Sequence, residues 1–102
     1  MEVNIISPAD LNELIQSGVD VQIVDLRESY EIENEGQSNA LHIPMGDLVS
    51  RLDELNFNCK VVFHCSSGNR SLNILKFLKM NNLSKENYFH LEGGFQEWSK
   101  YL

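Results

Sequence analysis

Apolar positions along the chain fall in short blocks that alternate with amphipathic stretches. Asn4-Ile5-Ile6 is short and β-branched. Leu11, Leu14 and Ile15 recur at helical spacing, with Ser7 as cap, Pro8 in the first turn, Asp10 at the positive end of the dipole and Gly18 as stop. Val21-Gln22-Ile23-Val24 reads as a strand ending at Asp25. A short helix is expected from Tyr30 to Asn34, then a turn-rich stretch from Glu35 to Asn39 and an extended piece, Leu41-His42-Ile43-Pro44. Leu48, Leu52 and Leu55 again sit at helical spacing. Val61-Val62-Phe63 is an unbroken apolar run, as in a strand covered on both faces, and it continues through His64 to Cys65. A helix is expected from about Arg70 to Asn81, with Asn73, Lys76 and Lys79 wet and Ile74, Leu75, Phe77 and Leu78 buried. Tyr88-Phe89-His90-Leu91 is the last strand and Glu92-Gly93-Gly94 a turn. Phe95, Trp98 and Leu102 then share one face of a closing helix. Strand alternating with helix predicts an α/β domain with a mainly parallel central sheet of about five short strands and helices on both faces.

The length of 102 residues suits one domain over the whole chain, and 42% hydrophobic with 23% charged residues is an ordinary globular composition. Charge changes the picture more. Eight Lys and Arg against 15 Asp and Glu leave a formal net charge of −7, poorly suited to nucleic acid or anionic lipid. No apolar run approaches the roughly 20 residues that span a bilayer. Met1-Glu2-Val3-Asn4 lacks the basic start and apolar block of a secretory signal. Two cysteines, Cys59 and Cys65, make no disulfide framework, and the expectation is a cytoplasmic protein with reduced thiols, acting as a monomer.

Sites in open α/β sheets form just past the carboxyl ends of strands, where Cys65 falls. The segment Cys65-Ser66-Ser67-Gly68-Asn69-Arg70-Ser71 runs straight into a helix. Small residues and a glycine let main-chain N–H groups turn inward as an anion-binding nest, and the helix start adds partial positive charge. A cysteine there is expected to be a reactive thiolate. Arg70 brings a forked cation able to dock an anionic group. The plainer reading is a buried small hydrophobe followed by a turn. The conjunction of apolar strand, Cys, small residues, Gly and Arg favours function.

With these residues in view, the chain resembles the rhodanese family of sulfurtransferases. Val24-Asp25-Leu26-Arg27-Glu28 is similar to the family's V-D-x-R-(E or D) segment, and Ile43-Pro44 with Leu48 to its I-P-x-x-x-(L or F) segment. Cys65-Ser66-Ser67-Gly68-Asn69-Arg70-Ser71 resembles the loop C-x-x-G-x-R-(S or A). Leu91-Glu92-Gly93-Gly94-Phe95 with Trp98 resembles the closing L-x-G-G-(I or F)-x-x-W. The likeness runs from about Ile5 to Leu102. It implies a rhodanese-like fold and a double displacement in which Cys65 takes the outer sulfur of a donor such as thiosulfate. The resulting persulfide is passed to a thiophilic acceptor: a thiol, cyanide or a sulfur-carrier protein. Ser66, Ser67, Gly68, Asn69, Arg70 and Ser71 would hold the substrate and the anionic persulfide, with no metal or organic cofactor. The chain departs from the family at Gly36-Gln37-Ser38-Asn39-Ala40, where many members carry G-H-I-x-G-A, and there it is closer to the rhodanese-like domains that end some ubiquitin-like-activating enzymes.

Two other readings compete. Cysteine phosphatases and arsenate reductases of related fold use C-x5-R. Here Cys65 to Arg70 is C-x4-R, a tighter ring better suited to one sulfur atom than to a tetrahedral oxyanion. A non-catalytic interaction module would not need the cysteine. Asp25 and Arg27 end the second strand on the edge that carries Cys65, where Asp25 is expected to steady Arg27 or Arg70, or to form an ordinary surface pair. Ser71 is placed to give its hydroxyl to the sulfur or to local backbone. Alternation turns His64 away from Cys65, so it reads as a core histidine. His42 and His90 lack partners at metal-ligand spacing. Cys59 reads as incidental, Phe95 and Trp98 as core, and the acidic stretch from Glu28 to Glu35 as a solvated face.

Overall fold

The computed structural model describes residues 2–102. Five parallel strands, β1 (Ile5–Ile6), β2 (Val21–Asp25), β3 (Leu41–His42), β4 (Lys60–His64) and β5 (Tyr88–Leu91), lie in the order β1-β5-β4-β2-β3. Four helices complete the α/β fold: α1 (Pro8–Gln16), α2 (Ser29–Glu35), α3 (Asn69–Met80) and α4 (Gly94–Trp98). Parallel neighbours need crossovers, so the helices cover the sheet and its central strand becomes apolar on both sides.

Alternation along β4 divides the core. Val61 and Phe63 pack with Val24, Leu26, Ile43, Leu48, Leu75, Leu78 and Tyr88 on one face; Val62 packs with Ile6, Leu11, Leu91, Phe95 and Trp98 on the other. Each such side chain, fully buried, contributes about 1.5–3 kcal/mol relative to exposure. Helix α1 begins as the sequence predicts: Ser7 Oγ accepts the Asp10 amide at 3.1 Å, Pro8 is the first residue, and Gly18 turns the chain away at φ +79°.

Three expectations need correction. Phe77 is 47% exposed, because the buried stripe of α3 is Ser71, Leu75 and Leu78, and two residues beyond Leu75 is the opposite side of a 3.6-residue helix. Leu48, Leu52 and Leu55 do not share an α-helix. The chain there makes 3₁₀ turns, Met45–Asp47 and Val49–Glu54, and Arg51 breaks the helical path at φ −121°. Leu102 is 67% exposed, because α4 tightens into a 3₁₀ turn, Ser99–Tyr101, and the change of pitch swings Leu102 off the face of Phe95 and Trp98.

Candidate active site

Cys65 follows β4 directly, and the next helix begins at Asn69, so the whole connection is Cys65 to Gly68. This tight joint depends on Gly68, which sits at φ +102°, a region that L side chains rarely adopt. A β-carbon there would meet Gly93 N and His90 Cε1, each at 3.3 Å. The turn brings the Gly68 amide onto the sulfur, and it donates to Cys65 Sγ at 3.1 Å. The amides of Asn69, Arg70 and Ser71 follow at the start of α3, where N–H groups have no carbonyl four residues back within the helix. Cys65 itself is 1% exposed, while Ser67 and Asn69 are exposed beside it.

A glycine pair, Gly93-Gly94, lets α4 brace the loop. Phe95 N donates to Cys65 O at 2.8 Å and Gln96 N to Ser66 O at 3.0 Å, so the start of α4 carries the loop's carbonyls. This contact leaves no room at Gly94, which is at φ +61°. A β-carbon would lie 2.6 Å from Ser66 O and 2.7 Å from both Cys65 O and Gly68 N. Gly94→Ala is therefore expected to displace the loop and cost about 1–3 kcal/mol in urea denaturation. Gly46→Ala, which has nothing within 4 Å of its added carbon, is expected to be near neutral. Equal effects of the two substitutions would mean that the loop gives way freely.

Asp25 and Arg27 form a buried fork rather than a surface pair. Arg27 Nε bonds Asp25 Oδ1 at 3.0 Å and Nη2 bonds Oδ2 at 2.8 Å, with Nη2 also donating to Gly36 O at 2.9 Å. The guanidinium lies 4.1 Å from the Phe95 ring centroid. Its Nη1 is enclosed without a hydrogen-bond partner, 3.8 Å from Glu35 Oε1. Burial acts to raise the Asp25 carboxyl, but the bonds from Arg27 and the neighbouring positive groups outweigh it and hold the group below its usual range. The atypical segment joins this network: buried Ser38 donates to Asp25 Oδ2 at 3.3 Å and lies 3.1 Å from His64 Nε2.

Arg70 pairs with Glu31 and not with Asp25, the carboxylate the sequence suggests. Its Nη1 and Nη2 bond Glu31 Oε1 and Oε2 at 2.7 and 2.5 Å, and Glu31 also accepts the Glu28 amide at 2.9 Å. The bond from Arg70 is the main cause holding the Glu31 carboxyl below its ordinary value; the carboxylate in turn raises the Arg70 guanidinium further. Ser66 Oγ donates to Glu35 Oε1 at 2.6 Å and accepts from Gln96 Nε2 at 3.3 Å. Helix α2 thus clamps the loop with Glu31 and Glu35, four residues apart on one face. The acidic stretch read as a solvated face therefore carries two site residues, and their spacing was the available signal.

Ser71 has nearer partners than the sulfur. Its Oγ donates to Gly68 O at 3.1 Å, lies 2.7 Å from His90 Nδ1, and is the acceptor in a 3.8 Å contact from Cys65 Sγ. His90, on β5, is thus a neighbour of the loop that linear spacing does not reveal. His64 is buried against Phe95 and Trp98, as alternation predicts. Burial lowers the affinity of both rings for a proton in the fold. A histidine kept neutral by folding stabilises fully above its unfolded value of about 6.5, and that stability is lost as pH falls below it, because the unfolded chain binds the proton first. The urea midpoint is expected to fall as pH drops from about 8 to about 5, and His64→Gln with His90→Asn to flatten the slope. A flat wild-type profile would mean that the folded rings protonate normally.

Among the described residues, no three His, Cys, Asp or Glu gather as a metal site, and no helix is long and apolar enough to cross a membrane. Cys59 and Cys65 are both free thiols.

Comparison with known proteins gives a consistent set of likenesses. The family model for the Rhodanese-like domain matches residues 7–101. YtwF of Bacillus subtilis (strain 168) is 35% identical over 98 residues, covering 96% of this chain and 92% of that protein. A protein of Allochromatium vinosum named "Sulfurtransferase" is 29% identical over 99 residues, covering 97% and 91%. Among solved structures, a rhodanese-related protein from Thermoplasma volcanium superposes with a TM-score of 0.76 at 31% identity, over 95% of this chain and 91% of that one.

Proposed function

The chain belongs to the rhodanese-like domain family, and from that premise we propose that it is a sulfurtransferase that carries sulfane sulfur on Cys65 as a persulfide and hands it to a thiophilic acceptor: a thiol, cyanide or a sulfur-carrier protein. The observation that carries this reading is the Gly68 amide donating to Cys65 Sγ inside a loop of four residues between Cys65 and Arg70. A thiolate gains from an N–H aimed at it, and the helix-start amides of Asn69, Arg70 and Ser71, next along the chain, would serve the terminal sulfur of a persulfide in the same way. Ser66, Ser67 and Gly68 shape that cradle, and Asp25 with Arg27 steadies its floor through Phe95. No cofactor has a part in the reaction. A reducing, cytoplasmic setting suits a protein whose working group is a free thiol.

In the first half-reaction the Cys65 thiolate attacks the donor's outer sulfur, forming one S–S bond as the donor's own S–S bond breaks. In the second, the acceptor attacks the outer sulfur of Cys65–S–S⁻ and the thiolate is regenerated. Incubation with thiosulfate, or with cysteine persulfide, followed by intact mass measurement without reductant is expected to give one added sulfur atom on the Cys65 peptide, removed by dithiothreitol. No adduct with either donor overturns the reading. A tight C-x4-R ring disfavours phosphate, and hydrolysis of a small aryl phosphate dependent on Cys65 would reverse that ranking.

A further inference from the structure

We propose that the Glu31–Arg70 pair sets the donor class, so that the site loads its sulfur from a thiol persulfide, R–S–SH, in preference to a small dianion such as thiosulfate. The proposal rests on the sulfur-transfer reading of Cys65 and adds what the donor must look like. Arg70 is the cation within the loop, and its fork is already closed on a carboxylate, with Nη1 at 2.7 Å and Nη2 at 2.5 Å from Glu31. Glu31 is held in turn by the Glu28 amide, so it is not a loose side chain that happens to lie nearby. The loop's other side-chain donor on this side, Ser66 Oγ, is given to Glu35. With the buried fork behind Glu35 included, three carboxylates, Glu31, Glu35 and Asp25, stand against two guanidinium groups, Arg70 and Arg27. Glu28 and Glu33 lie in the same acidic stretch, on a chain of net charge −7.

Thiosulfate arrives with two negative charges and leaves as sulfite with two, and both need a cation that Glu31 has neutralised. A persulfide brings at most one charge on the sulfur and leaves as a thiolate. Shape acts in the same direction. Cys65 is 1% exposed, so only a slender group can bring a sulfur atom to Sγ. The inner sulfur of a persulfide carries a single carbon beside its sulfur partner, whereas the inner sulfur of thiosulfate carries three oxygens. The step balances without an oxidant: Cys65–S⁻ + R–S–SH gives Cys65–S–SH + R–S⁻. The Cys65 S–S bond forms, the donor S–S bond breaks, its electron pair leaves on the donor thiolate, and the proton stays on the transferred sulfur.

The test is single-turnover loading of Cys65, read by mass, with cysteine persulfide and with thiosulfate, in wild type, Glu31→Gln and Glu31→Gln/Arg70→Ala. Wild type is expected to load faster from cysteine persulfide. Glu31→Gln is expected to shift the ratio of the two second-order rate constants toward thiosulfate by about tenfold, and Arg70→Ala on top to reverse the shift. A merely structural Glu31 would lower both rates together and leave their ratio unchanged. That result, or a wild-type preference for thiosulfate, overturns the proposal. A second measurement needs no variant. Wild-type loading from thiosulfate is expected to rise with salt from about 0.01 M to about 0.5 M as carboxylate repulsion is screened, and a fall with salt would show that Arg70 is available to anions. If neither donor loads Cys65, the sulfur-transfer reading itself fails. If both load with an unaltered ratio, only the donor assignment does.

Discussion

Cys65→Ser is expected to bring sulfur loading down to the solution background, a fall of about 10⁴-fold or more, because no neighbouring group can take over as nucleophile. The fold is expected to survive. Serine is close in shape to cysteine, its hydroxyl can accept the Gly68 amide that now bonds Sγ, and the Cys65 carbonyl that receives Phe95 N is unchanged. The cost in stability is expected to stay within about 1 kcal/mol. The check pairs a loading assay with urea denaturation, using Cys59→Ser as the control. Cys59 is partly exposed and outside the loop, and its carbonyl accepts Asn87 Nδ2 at 2.8 Å. Undiminished loading of Cys65→Ser would move the chemistry to another residue.

Arg27→Met is expected to show the largest loss of stability, about 3–5 kcal/mol, set against a total of about 5–15 kcal/mol for a domain of this size. The mechanism is an orphaned charge. Arg27 is 0% exposed, and its removal leaves the Asp25 carboxylate buried at the carboxyl end of β2 with only Ser38, His64 and one backbone amide to answer it. The bond to Gly36 O and the contact with Phe95 go as well. Asp25→Asn in the same chain removes the stranded charge, so the double variant is expected to be more stable than Arg27→Met alone. Measured as urea midpoints, an additive double variant would mean that the two side chains act independently. Glu35 and Ser66 connect this fork to the loop, so loading is expected to slow in Arg27→Met even where the protein remains folded.

The two substitutions probe different layers of one site. Cys65→Ser tests the proposed nucleophile. Arg27, through Phe95 and Gly36, holds α4 and the end of α2 in place, and both elements bond the loop. Through Glu31 and Glu35, α2 decides how much of the loop's polarity remains for a ligand.

Much of this was legible from the chain alone, because it was encoded locally. The apolar run Val61-Val62-Phe63 announced a strand covered on both faces, and period-two alternation turned His64 away from Cys65. The small-residue loop before a helix announced the cradle. Each depends on neighbours within a few positions, where sterics and periodicity act. Arg70 paired with Glu31, 39 positions away, Ser66 with Glu35, and Ser71 with His90. Only the tertiary structure decided these, because parallel crossovers bring α2 and β5 beside the loop and the chain order carries no record of that distance. The same holds for Arg27: the sequence determined that an acid and a base stand two residues apart, but burial under Phe95 turned an ordinary surface pair into a structural fork. Thus the local pattern determined that Cys65 sits between a buried strand and a helix start. The packing of distant elements decided which charges it meets, because electrostatic partners are chosen by proximity in space and by the loss of water around them.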